Sequence, residues 1–224
     1  MATYDLDQQE QLDQFKHFWQ TYGNLITWTL VLAVGAYAAW MGHTWWQNDR
    51  STKAAVMFEE LDRAVIRGEA DKVNRVFSDL KDNFSGATYT EHGALLAAQF
   101  QASKGKPDEA RAALQWLIEH GKNPDLVVIA RLRQAGILLD QKKYDEALKQ
   151  IDADIPEEYK ALAADRKGDI LYAQGKKPEA LKSYQTAYEA MDPAIDYRRF
   201  IDGKLTALGA PPAVSTLSRP AAAN

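Results

Sequence analysis

The chain has 224 residues, with 31 acidic against 27 basic side chains, a net charge of −4 and no cysteine. That balance offers no basic footprint for nucleic acid, and the missing thiols exclude disulfides and thiolate metal sites. The lack of cysteine is compatible with an oxidising compartment without requiring one.

Residues 1–22 read as an amphipathic segment, with Leu6, Leu12, Phe15, Phe18, Trp19 and Tyr22 at helical spacing opposite Asp7, Gln8, Gln11 and Gln20. Such a helix either lies in a membrane interface or docks on a membrane partner, and its polar face is not rich in Lys or Arg. Residues 23–46 predict a transmembrane helix. Between Lys16 and Asp49 there is no Asp, Glu, Lys or Arg, and Leu25 to Gly42 is nearly unbroken apolar sequence. A hydrocarbon layer needs about 20 helical residues, because every backbone polar group must be satisfied within the segment. Trp19 and Tyr22 on one side and Trp45 and Trp46 on the other are placed as interfacial aromatic rings. Membrane lipid is therefore the first expected partner.

A cleaved signal would be cut near Ala36 and Ala38, but the preceding region is acidic and apolar sequence continues through Trp40 and Met41. An uncleaved anchor is the expectation; a mature start at Ala39 is the rival. The pairs Gly35 with Ala39 and Ala38 with Gly42 permit close helix contact and equally fit ordinary transmembrane composition. Flanking charges set Lys16 and the amino terminus against Arg50, Lys53 and Arg63, which favours a cytoplasmic C-terminal domain. No Gly or Pro lies between Gly42 and Gly68, so the helix can run on into the next segment, unless Asn48, Asp49 or Ser51 caps a new one.

Residues 47–208 show internal repetition. Gly105-Lys106-Pro107-Asp108-Glu109-Ala110 recurs as Lys142-Lys143-Tyr144-Asp145-Glu146-Ala147 and as Gly175-Lys176-Lys177-Pro178-Glu179-Ala180, with a fainter copy at Gly68 to Val73. Gly or Lys ends one helix, Pro or Asp opens the next, and Glu sits where the helix dipole favours it. This pattern resembles the tetratricopeptide repeat, a helical hairpin of about 34 residues. The fourth copy carries it best, with Gly168, Gly175, Ala180, Tyr184, Ala187 and Pro193, whereas Pro156 is expected to cut short the second helix of the third copy. The hairpins should stack on Val76, Phe77 and Leu80, then Leu114, Leu117 and Ile118, then Leu138, Leu139 and Ile151, then Leu171, Tyr184 and Tyr188. A capping helix is expected over Ile195 to Leu208, facing inward with Phe200, Ile201, Leu205 and Leu208. The fold class is thus all-α: one transmembrane helix, an α-solenoid of about four hairpins, and a C-terminal capping helix. Residues 209–224, rich in Pro, Ala and Ser, read as a disordered tail.

No catalytic, cofactor-binding or metal-binding residues are assigned. His17 and His43 flank the span, His92 stands just before an Ala-rich helix and His120 at a helix end, none with a spaced partner. There is no phosphate loop, nucleophile elbow or calcium loop. The carboxylate pairs, such as Glu59-Glu60, are sequence neighbours that do not face each other on a helix. The chain is expected to be a binding protein and not an enzyme. By repeat alignment, first-helix positions facing a partner include Gln99, Asp169 and Tyr172.

The amphipathic start from Glu10-Gln11-Leu12 to Lys16-His17-Phe18-Trp19, the single anchor and the degenerate repeats together resemble the YfgM-type ancillary subunits of the bacterial Sec translocon. Ala161 to Leu171, followed by Gly175 and Ala180, is the most similar stretch. The resemblance implies an inner-membrane protein with residues 1–22 cytoplasmic and the repeat domain periplasmic, opposite to the lean of the flanking charges. It also implies association with the SecYEG channel, with a periplasmic parvulin-type chaperone and with unfolded secretory clients. A scaffold of another envelope machine, in division or outer-membrane assembly, is the alternative; a secreted repeat protein with a cleaved signal is the third.

Overall fold

A computed structural model describes residues 3–212, and every regular element in them is helical. Two units are distinguished, residues 1–53 and 54–224. Helix α1, Thr3–Arg67, contributes to both, and no break is assigned at Asn48, Asp49 or Ser51. The side chains of Leu6, Leu12, Phe15 and Phe18 and the tail from residue 213 lie outside the described set.

In the first unit the large apolar side chains that are described stand exposed. Leu25, Trp28, Val31, Val34, Tyr37, Trp40 and Trp45 all stand exposed, around the whole circumference of the helix. Among the described residues this is the one helix long and apolar enough to cross a membrane, with a mean hydropathy of 1.6 and none of that window buried. Its polar side chains turn inward on the backbone. Thr27 Oγ donates to the Gly23 carbonyl at 2.7 Å, Thr29 to Leu25 at 2.8 Å and Thr44 to Trp40 at 2.9 Å. A hydroxyl satisfied within its own helix costs little in hydrocarbon. At the far border the Arg50 guanidinium lies 4.8 Å from the centre of the Trp46 ring.

The second unit begins with residues 54–67 of α1 and continues through α2 (Ala70–Phe84), α3 (Thr88–Ser103), α4 (Pro107–His120), α5 (Pro124–Asp140), α6 (Tyr144–Ile151), a 3-10 turn (Glu157–Tyr159), α7 (Lys160–Ala173), α8 (Lys177–Ala190) and α9 (Arg198–Ala207). From α2 onward each helix packs on its sequence neighbour, and in addition α3 touches α5 and α5 touches α7. Contacts between successive first helices are the mark of stacked hairpins. Three core clusters follow one another along the stack. Leu126 and Ala130 of α5 belong to the first while Val128, Ala135 and Leu138 belong to the second; Ala163 and Ile170 of α7 belong to the second while Ala161 and Leu171 belong to the third. First helices therefore bury two faces, one against each neighbour, which is why their sequences lack the one-sided pattern of α2 and α6.

The shared turn sequence has a shared geometry. Each first helix closes on a residue with positive φ: Gly68 (74°), Gly105 (70°), Lys142 (59°) and Gly175 (81°). Its amide donates three residues back and the next amide five residues back, as in Gly105 to Ala102 with Lys106 to Gln101, and Lys142 to Leu139 with Lys143 to Leu138. These are Schellman closures. The small residue five positions on, Ala110, Ala147 or Ala180, is wholly buried. Helix α9 ends the same way, with Gly209 at φ 79° donating to Thr206 and Ala210 to Leu205. Gly209 lies 34 residues after Gly175, so α9 keeps the register of a fifth first helix.

Among the described residues, Lys142 alone holds this left-handed conformation with a side chain, which costs about 1 kcal/mol. Lys142→Gly should raise stability by about 0.5–1 kcal/mol, read as a higher urea midpoint for the full-length chain in detergent; an unchanged or lower midpoint would contradict the strain.

Most expected faces are buried as read, with Ile118, Leu139 and Tyr188 packed at the margins of the clusters. Helix α6 does end early, at Ile151, ahead of Pro156. Two expectations are corrected. His92 lies within α3, not before it. Phe200 is 67% exposed and points away from the core, because α9 begins at Arg198 and seats Ile201 and Leu205 instead.

Candidate binding groove

The row of first helices α3, α5 and α7 carries a cavity of about 470 Å³, lined by Gln99, Arg133, Gly136, Ile137, Asp140 and Arg166 over Ala98, Ala102 and Leu114. Helix α5 starts at Pro124 behind Asn123, whose Oδ1 accepts from the Asp125 amide at 2.9 Å, and this cap fixes the phase of Arg133 and Gly136. A smaller cavity of about 220 Å³, lined by Val65, Leu96, Gln99, Phe100, Ser103 and Lys104, shares Gln99 with the first. The two form one groove along the first-helix face.

Gln99 is exposed and stands where the cavities meet. Asp169 is largely committed: its Oδ1 accepts from Tyr184 Oη at 2.8 Å and pairs with Lys204 Nζ at 2.7 Å, while Arg166 approaches its other oxygen at 3.6 Å. Tyr172 is half-exposed on α7, one turn beyond Asp169. Arg166 lines the cavity with Gln99 and reaches Asp169, but neither Asp169 nor Tyr172 lines the cavity itself. Arg133, Gly136 and Arg166 are groove residues that the sequence reading passed over. The available signal was spacing, since Arg133 and Arg166 stand 33 residues apart, the interval that separates turn residues Lys142 and Gly175.

Behind the groove, a buried polar cluster pins α9. Lys204 Nζ lies 2.8 Å from both oxygens of Asp165, which is almost fully buried, and Tyr197 Oη donates to Asp165 at 2.8 Å. Burial first, then the Asp165 charge, pushes the Tyr197 phenol up to about 12; burial and then Asp169 push Tyr184 higher still. Below pH 10 both phenols are neutral in the folded and unfolded chain. Above it the unfolded chain releases its protons first and gains stability relative to the folded one. The repeat unit should therefore lose stability as pH rises from 10 toward 12, and Tyr197→Phe should make that loss shallower. Urea midpoints measured across this range check it; a flat profile for the native chain would contradict the burial. Among the described residues, no group of three or more His, Asp or Glu side chains is placed to hold a metal ion.

A family profile for tetratricopeptide repeat-like domains matches residues 16–210. The chain is 30% identical over 207 residues to the ancillary SecYEG translocon subunit of Neisseria gonorrhoeae, covering 91% of this chain and 98% of that one. The chain belongs to this family. The ancillary SecYEG translocon subunits of Escherichia coli and Haemophilus influenzae are 26% and 24% identical, each over 84% of this chain and 91% of their own length. Relatives of the ancillary-subunit family therefore match across both units, the apolar helix as well as the stacked hairpins. Their profile match includes α9 and its Gly209 closure.

Proposed function

We propose that the chain is a non-enzymatic ancillary subunit of the Sec translocon, held in the bacterial inner membrane by the helix at 23–46. The observation that supports this most is that its similarity to a protein named for that role extends over 98% of that protein's length. In this reading residues 1–22 are cytoplasmic and residues 47–208 periplasmic. The first-helix groove, through Gln99 and the surface around Asp169 and Tyr172, links the SecYEG channel to a parvulin-type chaperone and to unfolded secretory clients. The solvated groove and the exposed apolar circumference of α1 support a protein that binds partners with one unit and lipid with the other.

Photo-crosslinkers placed at Gln99 and Tyr172 in intact cells test it. Adducts with channel subunits, a periplasmic chaperone or secretory precursors are expected. Division or outer-membrane-assembly proteins recovered without any of these would replace the reading with the scaffold alternative. Protease accessibility in spheroplasts tests the orientation, with cleavage of the repeat unit expected from outside.

A further inference from the structure

The cavity between α3, α5 and α7 carries a positive pair that a generic peptide groove does not need. Arg133 and Arg166 occupy one register position on consecutive first helices, and the equivalent residue of α3, 37 positions before Arg133, is Leu96 in the adjoining cavity. Along the groove the side chains thus run from apolar to cationic to cationic. Gly136 makes the room: a Cβ there would stand 3.7 Å from the Arg166 guanidinium, and any longer side chain would enter the cavity.

Neither guanidinium is saturated by its contacts among the described residues. Arg133 gives one long bond, 3.4 Å, to the Leu95 carbonyl. Arg166 has Asp169 at 3.6 Å, a carboxylate that Lys204 at 2.7 Å and Tyr184 at 2.8 Å already hold. Each guanidinium carries five donors in a planar fork that suits a carboxylate. Of the residues lining this cavity Asp140 alone is acidic, so within the lining one carboxylate stands against two guanidiniums. Ala98, Ala102 and Ile137 supply an apolar wall.

Resting on the reading of this face as the partner-binding one, we infer that the cavity takes an extended peptide segment through an acidic side chain. Its carboxylate bridges Arg133 and Arg166, and a small apolar neighbour lies against Ala98, Ala102 and Ile137. We take an internal acidic residue as the occupant because the adjoining cavity, lined by Val65 and Leu96, lets the peptide chain run on past the arginines.

The test uses the full-length chain in detergent micelles and fluorescent peptides that are acetylated at the N-terminus and amidated at the C-terminus. Two peptides differ only in a central Glu or Gln flanked by Ala and Val. Anisotropy should show the Glu peptide binding about tenfold tighter, the scale of a charge-assisted pair, with the gap narrowing as salt is added. Arg133→Gln with Arg166→Gln should abolish the preference. Gly136→Leu keeps both arginines, favours the helix and should lose both peptides. Equal affinities, no binding of either peptide, or binding that requires a free C-terminal carboxylate would each overturn the inference. Retained Gln99 crosslinks to translocon components with no Glu preference would remove this inference alone; loss of those crosslinks would remove the function itself.

Discussion

Gly168→Val should destabilise the repeat unit by about 3 kcal/mol, at the upper end of overpacking costs. A Cβ at this position would lie 2.5 Å from both Cδ1 and Cε1 of Tyr184 and 3.0 Å from Cζ. The ring cannot move aside cheaply. Tyr184 is 3% exposed and its hydroxyl is tied to Asp169 at 2.8 Å, so displacement would open the core and break that bond together. Glycine in a helix interior costs about 1 kcal/mol relative to alanine, a cost the chain tolerates because the aromatic ring takes the space. The register supports this. In the second and third hairpins the same first-helix position is Ala98 or Ala135 and the second-helix partner position is aliphatic, Leu114 or Ile151; only the fourth combines Gly168 with Tyr184. Urea unfolding of the full chain followed by circular dichroism measures the effect. Tyr184→Leu on the Gly168→Val background should restore part of the loss, a coupling expected between residues in contact. Strict additivity of the two changes, or native stability of Gly168→Val alone, would refute the packing argument.

Lys204→Ala should release α9 and cost about 2–3 kcal/mol, less than the 3–5 typical of breaking a fully buried pair, because Lys204 is itself 28% exposed. The ammonium is shared between Asp165 and Asp169 at 2.7–2.8 Å, and Asp165 has 3% of its side chain exposed. Without the lysine, the buried carboxylate keeps, among the described residues, the Tyr197 hydroxyl as its bonding partner, and the desolvated charge is left unbalanced. Undocking of α9 would bare Ile201 and Leu205, both buried in the native unit. Limited proteolysis should then cut between residues 190 and 210 before the rest of the unit opens. Adding Asp165→Asn should recover part of the stability, since the buried group is then neutral. Proteolysis at the native rate in Lys204→Ala would show that apolar contacts alone seat the helix.

Much of this architecture was legible in residues 16–212, where the reasons are local. The apolar span follows from the run of uncharged residues between Lys16 and Asp49, and its threonines satisfy themselves on their own helix. The turns follow from Gly68, Gly105 and Gly175, each of which takes the left-handed conformation that ends a helix. Lys142 could be aligned with them, but only the backbone shows a lysine accepting the same φ. Ala110, Ala147 and Ala180 could be read as close crossings, and all three are buried. The groove was half legible. Repeat alignment led to Gln99, Asp169 and Tyr172 and passed over Arg133 and Arg166.

The sequence by itself determined the helical hairpins, the turn chemistry and the long apolar helix, because each rests on interactions within a few residues of the chain. Tertiary structure decided what the polar residues do. First helices are enclosed by neighbours on two faces, and that packing selects the face that remains for a groove. It sends Phe200 outward and Ile201 inward, draws Asp169 into an ion pair with Lys204, and sets two arginines from different hairpins on one cavity. Contacts between residues 33–39 positions apart arise only when hairpins stack, so no periodicity within a single helix could have revealed them.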